Sequence, residues 1–284
     1  LSKPMQLRVE VARAMAARGS PVFLRPLVEM LSRHELRPEA RRAILGLPGA
    51  LDALDHALSD PSLRHDLRVH LPRTICLFEP TRAAAVLARH LGGPYRGVVR
   101  FKVLRGLLKL KRQHPQIRLD EALLLRTAHE TVERVTRYRR WSKGLVAMDA
   151  SSVSIEEGGA LHAAHHLLVD LVRDKAHHAF GRVFMILELL HGESFHDVWR
   201  ALRSDNARAF ASSLELVENI VKPPLRGRIL ALLGAGNEPE GVPMAYSDAI
   251  FEMLVEESST MRALAEYRAA ELGLDISRSP RVKR

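Results

Sequence analysis

Residues 24–44, LRPLVEMLSRHELRPEARRAI, and residues 51–71, LDALDHALSDPSLRHDLRVHL, decide the fold, because the second stretch repeats the chemistry of the first. Leu24, Leu27 and Leu31 recur 27 residues on as Leu51, Leu54 and Leu58. Arg37, Ala40, Arg41 and Ile44 recur in the same register as Arg64, Leu67, Arg68 and Leu71. A third copy carries Ala84, Leu87 and Leu91 in the first half and Arg96, Val99, Arg100 and Val103 in the second, with one residue lost from the connecting turn. A fainter fourth copy sets Phe195, Val198, Leu202, Arg208 and Ala211 in equivalent places, after which Ser212 and Glu215 break the register.

Each clear copy has apolar residues at helical spacing, a break, and apolar residues at helical spacing again, which is a helical hairpin. The breaks carry start signals: Arg37-Pro38, Asp60-Pro61 and Gly92-Gly93-Pro94 each interrupt one helix and begin another. One hairpin cannot cover its own apolar stripe, so neighbours must stack to bury it. The expected fold is therefore all-α, an α-solenoid of short HEAT-like helical hairpins wound as a right-handed superhelix. The period is shorter than the usual HEAT length of about 40–47 residues.

Further along, Asp120 to about Met148 reads as one long helix and Glu156 to His191 as one or two more. Between them Met148 to Ser154 is small and polar, the expected hinge, and Gly234 to Gly241 is a second loop. Ala245–Leu254 and Met261–Leu272 read as a last hairpin that caps the stack. These signals divide the chain into basic N-terminal repeats over 1–150, C-terminal repeats and the capping hairpin over 151–276, and a basic tail over 277–284.

The composition agrees with this reading. Of the 284 residues 46% are hydrophobic and only 5% aromatic, a balance that favours helices over sheets. The single cysteine, Cys76, rules out an internal disulfide and every zinc site that needs two thiolates. No apolar run approaches the roughly 20 residues that cross a bilayer, and the abrupt start at Leu1-Ser2-Lys3-Pro4 suggests a piece of a longer protein.

Charge is unevenly placed. Residues 1–150 hold 28 Lys+Arg against 14 Asp+Glu, whereas 151–284 hold 15 against 19. The N-terminal half therefore projects a positive field towards an acidic protein, nucleic acid or an anionic lipid surface.

Two constellations are candidate binding residues. The arginine pairs Arg37/Arg41, Arg64/Arg68 and Arg96/Arg100 lie beside the apolar stripe of each second helix, where stacking would align them into a ladder. Such a ladder either tracks an acidic ligand or pairs with acidic and carbonyl groups of neighbouring hairpins. The run Arg134 to Lys143 interleaves bases with aromatics as nucleic-acid surfaces do, naming Arg134, Arg137, Tyr138, Arg140 and Trp141. The competing reading buries Tyr138 and Trp141 beneath a basic outer face.

A third constellation, His162, His166, Asp170, Asp174 and His178, steps at i+4. It rotates by about 40° per step, so at most two or three members converge, and a polar helix face is the expectation over a metal site. No nucleophile elbow, phosphate loop or dinucleotide fingerprint is present, so neither catalysis nor a cofactor is expected.

Three stretches carry a family resemblance: Phe101 to Leu110, Asp174 to Phe184, and Asn206 to Asn219 followed by Lys222-Pro223-Pro224-Leu225-Arg226. They resemble the soluble HEAT-repeat region of bacterial ATP/ADP translocase-like proteins, over most of residues 80–275. The resemblance implies a non-enzymatic interaction or scaffold module, cytoplasmic and tethered to the inner membrane within a larger protein, whose partner is a protein or an adjacent membrane domain. It identifies no site, and transport does not carry over to a chain without membrane helices. The alternative is a nucleic-acid-binding HEAT-like solenoid that uses a basic concave face. A metal-dependent hydrolase built on the histidine ladder is the third reading.

Overall fold

The computed structural model describes residues 3–93, 95, 97–149, 159–201, 206–235, 244–256 and 258–275, and every regular element among them is helical. They fall into two compact units, Leu1–Leu124 and Leu125–Arg284.

The first unit begins with α1 (Lys3–Arg18), α2 (Leu24–Met30) and α3 (Arg37–Leu45). It continues through α4 (Ala50–Ser59), α5 (His65–Arg68), α6 (Leu71–Ile75), α7 (Pro80–Arg89) and α8 (Gly97–Gln113). The apolar positions that define the three clear repeats form its core. Leu27, Leu31, Ile44, Leu54, Leu58, Leu71, Leu87 and Val103 are all essentially inaccessible, and only Leu24 among the repeat positions is half-buried.

Local chemistry explains where the helices start and stop. Glu79 caps α7 by accepting from the backbone N–H groups of Thr81 and Arg82, both at 2.8 Å. The second helix of the second repeat is broken into α5 and α6 because Pro72 has no N–H to offer the Arg68 carbonyl. Gly106, in the middle of α8, lets that helix lie against α6 and α7: a Cβ there would meet Cys76 Sγ at 2.8 Å and Leu87 Cδ1 at 2.9 Å.

Several equivalent helices of successive hairpins meet. The first helices α4 and α7 are joined by Asp52–Arg82 at 3.7 Å and by Asp55, which takes both Arg89 and His90 Nε2, the latter at 2.6 Å. Among the second helices, α3 reaches α6 through Arg41 and Thr74, and α6 packs on α8.

α9 (Glu121–Asp149) begins at the end of the first unit and runs into the second. The second unit continues with α10 (Gly159–His191), α11 (His196–Ala201), α12 (Ala207–Ile220), α13 (Leu225–Leu232), α14 (Tyr246–Leu254) and α15 (Ser259–Glu271). Its packing folds back on itself. The final hairpin α14–α15 packs on the long helices: α15 lies on α10, Arg268 Nε donates to Tyr246 Oη at 2.9 Å, and the buried His165 of α10 lies against the Tyr246 ring.

The faint fourth repeat continues the pattern only in its first half, where Phe195 and Val198 are buried. Ala211 is exposed, the buried side of α12 is Ser213 and Val217, and Leu202 lies outside the described residues. Of the expected hinge, Met148 and Asp149 end α9 and the rest lies outside the described residues, as do most of the loop from Gly234 to Gly241 and the basic tail. No helix among the described residues is long and apolar enough to cross a membrane.

Candidate functional site: a basic surface on the first unit

The first unit carries 22 Lys+Arg against 11 Asp+Glu, and most of its carboxylates are committed locally. Glu10 and Glu39 take Arg13, Glu39 also takes Arg42, and Glu29 takes Arg25. Asp66 takes Arg64, Asp52 takes Arg82 and Asp55 takes Arg89. Glu79, Asp60 and Asp120 accept backbone N–H bonds at turns and helix starts. The positive charge left over is concentrated on the second helices.

The arginine ladder divides into members that donate to backbone carbonyls or a neighbouring carboxylate and one member, Arg41, that does neither. Arg37 donates from Nε to the Leu31 carbonyl at 2.8 Å and from a terminal nitrogen to that of Ser32 at 3.2 Å. It thereby closes the C-terminal end of α2. Arg68 does the same for the second hairpin, donating to the carbonyls of Asp60 and of Leu63, the latter at 3.0 Å. Arg100, buried, donates to the Gly93 carbonyl at 2.9 Å. Arg64 stands just before α5 and makes a two-pronged bond to Asp66 at 3.1 and 2.6 Å. Arg96 lies outside the described residues. Arg226 of α13 repeats the carbonyl-capping device by donating to Glu218 at 3.1 Å, near the end of α12.

Arg41 is different. Its Nε donates to Thr74 Oγ1 at 3.4 Å, which points the guanidinium across to α6, and its two terminal nitrogens make no hydrogen bond among the described residues. Burial, then the charges of Arg73 and Arg37, hold its pKa below the usual arginine range. His70, at the junction of α5 and α6, is held down to about 4 by burial and by Arg37, Arg41 and Lys102, against the weaker opposing pull of Asp66. Three cations from α3 and α8 thus bear on a neutral imidazole, and a fourth, Arg73 of α6, bears on Arg41. None of Arg37, Arg41, Arg73 or Lys102 makes an ion pair with a carboxylate among the described residues. Along α8 the stripe extends outward through the exposed Arg105 and Lys109. Burial pushes the Cys76 thiol beneath it up to about 11, so it stays protonated and unreactive at neutral pH.

The basic-aromatic run of α9 has become internal structure of the second unit. Trp141 is 1% exposed and donates from Nε1 to Glu252 at 2.7 Å, while Arg140 grips the same carboxylate at 2.6 and 2.8 Å. Tyr138, also buried, donates to Glu256 at 3.3 Å, and burial followed by that carboxylate raises its pKa to about 12. Arg137 faces Glu256 at 3.8 Å, Arg134 is half-buried beside Tyr138, and Arg139 caps the Leu232 carbonyl. Neither ring offers a face on which a base could stack.

On α10 His166, Asp170, Asp174 and His178 lie along an exposed face, and the His162 side chain is outside the described residues. No cluster of three His, Cys, Asp or Glu side chains that could hold a metal ion occurs among the described residues.

The periodic pattern singled out Arg37 and Arg41 but passed over His70, Arg73 and Lys102, which join them only in three dimensions. Comparison with models of protein families, with curated proteins and with solved structures gives no match.

Proposed function

We propose that this protein is a non-enzymatic interaction module that docks an acidic protein surface through the basic face of α3, α6 and α8. The observation that carries the proposal is the cluster Arg37, Arg41, Arg73 and Lys102, four cations that share no carboxylate. A protein that keeps like charges together and unneutralised, three of the four part-buried, bears a standing electrostatic cost that an acidic partner would relieve. We read the hairpins of the first unit as short HEAT-like repeats stacked into a right-handed solenoid. Support comes from the meeting of equivalent helices, α4 with α7 and α3 with α6 with α8. The resemblance to the soluble region of translocase-like proteins makes the cytoplasmic side of a membrane assembly the setting. A protein partner is favoured over nucleic acid because Tyr138 and Trp141 are buried and tied to Glu256 and Glu252.

Fluorescence anisotropy with labelled polyglutamate tests the proposal. Binding that weakens steeply with added salt, and that polylysine cannot imitate, is the expected result. An absence of binding at low ionic strength would end it.

A further inference from the structure

The proposed function leaves open which anionic group the basic face reads. Three features of the first unit narrow the choice. The cations do not form a continuous track: Arg64 is held by Asp66, while Arg68 and Arg100 donate to backbone carbonyls. A polymer backbone with evenly spaced charges would therefore meet one focus of potential and not a ladder of equal sites. Second, the fold gathers the cations. The Arg41 bond to Thr74 carries its guanidinium to α6 beside Arg73, Arg37 lies one turn away on α3, and α6 packs on α8, which bears Lys102. Third, the donor geometry suits a multivalent oxyanion. The Thr74 contact occupies Arg41 Nε and leaves its two terminal nitrogens, the exposed Arg73 guanidinium and the Lys102 ammonium to donate.

A carboxylate carries one charge and two oxygens. A phosphomonoester carries about two charges and three acceptor oxygens at a single point, and arginine forks match its geometry. We infer that the cluster of Arg37, Arg41, Arg73 and Lys102 is a binding site for a phosphomonoester borne by a protein partner, a phosphoserine or phosphothreonine within an acidic segment. The inference rests on the reading of the basic face as a protein-docking surface and adds the group that anchors it. His70 sits among the cations as a neutral imidazole that can donate a further hydrogen bond or accept one from a water on the phosphate.

The test is fluorescence anisotropy on the full chain with three versions of one short Glu-rich peptide, whose central residue is phosphoserine, glutamate or serine. Duplex DNA of unrelated sequence serves as a competitor. The expected result is binding of the phosphoserine peptide about tenfold or more tighter than of the glutamate peptide. Arg41→Gln and Arg73→Gln should each abolish most of that advantage, whereas Arg18→Gln, the same charge change on α1, should leave it nearly intact. Arg41→Lys separates fork from charge, and retains overall attraction while losing most of the phosphate preference. Far-UV circular dichroism confirms that the variants fold.

Equal affinity for the phosphoserine and glutamate peptides would overturn the inference and leave the docking surface standing. Duplex DNA that displaces the phosphopeptide and binds more tightly would overturn it in favour of a polymer backbone. Failure of all three peptides to bind would remove both readings together.

Discussion

Glu252 is the carboxylate on which the packing of α9 against α14 turns, and Glu252→Ala should lower stability by about 2–3 kcal/mol. The largest part comes from Trp141, 1% exposed, whose indole N–H would lose its acceptor at 2.7 Å. Leaving such a donor buried and unsatisfied costs about 1–3 kcal/mol. The Arg140 pair adds little, because both partners are more than a third exposed at 54% and 37%, and a screened surface pair contributes at most about 0.5–1 kcal/mol. Glu252→Gln keeps an oxygen for the indole and should lose only about 1 kcal/mol. Arg140→Ala should lose less still.

Urea denaturation followed by far-UV circular dichroism measures each variant. A double-mutant cycle with Trp141→Phe, which removes the donor, should give a coupling of about 1–2 kcal/mol. Glu252→Gln as damaging as Glu252→Ala, or a coupling near zero, would refute the argument that indole desolvation dominates.

Other expectations follow from the same contacts. His70 has a folded pKa of about 4, below its usual value of 6.5. Stability from this group is therefore fully present above pH ~6.5 and falls as pH drops towards 4, because only the unfolded chain takes up the proton. The half-buried ring limits the loss to about 1 kcal/mol, and His70→Gln should flatten that part of a stability–pH curve. Gly106→Val should destabilise by about 1–3 kcal/mol in thermal melts, since its Cβ falls within 3 Å of Cys76 Sγ and Leu87 Cδ1 in a packed core. Glu79→Ala should cost about 1 kcal/mol by uncapping α7. If the hairpins extend as a solenoid, small-angle scattering should give a radius of gyration above the roughly 19 Å of a compact chain of this length. A value at or below that figure would count against the extended array.

The helices of the first unit were legible because apolar spacing is a local property. Leu27, Leu54 and Leu87 occupy equivalent places in the sequence and all three are buried. The long helix from Asp120 and the last hairpin were readable for the same reason. The site was legible only in part. Equivalent arginines meet different fates because loop geometry places Arg37 as the first residue of α3 but leaves Arg64 one residue ahead of α5. The carbonyls closing each first helix are therefore reached by Arg37 in one hairpin and by Arg68 in the next, which leaves the half-buried Arg41 free to reach Thr74 and ties up its repeat partner. Sequence periodicity cannot distinguish these outcomes, nor can it bring His70 and Arg73 of the α6 region together with Lys102 of α8. The run from Arg134 to Lys143 shows the opposite limit: its composition is that of a nucleic-acid surface, but the carboxylates that absorb it, Glu252 and Glu256, lie more than a hundred residues away.

Hydrogen–deuterium exchange of the whole chain, with and without saturating polyglutamate, tests the location of the docking surface most directly. Protection concentrated in α3, the α5–α6 segment and α8, with α9 unchanged between Arg134 and Lys143, is the predicted pattern. Protection centred on α9, or spread evenly over both units, would contradict it.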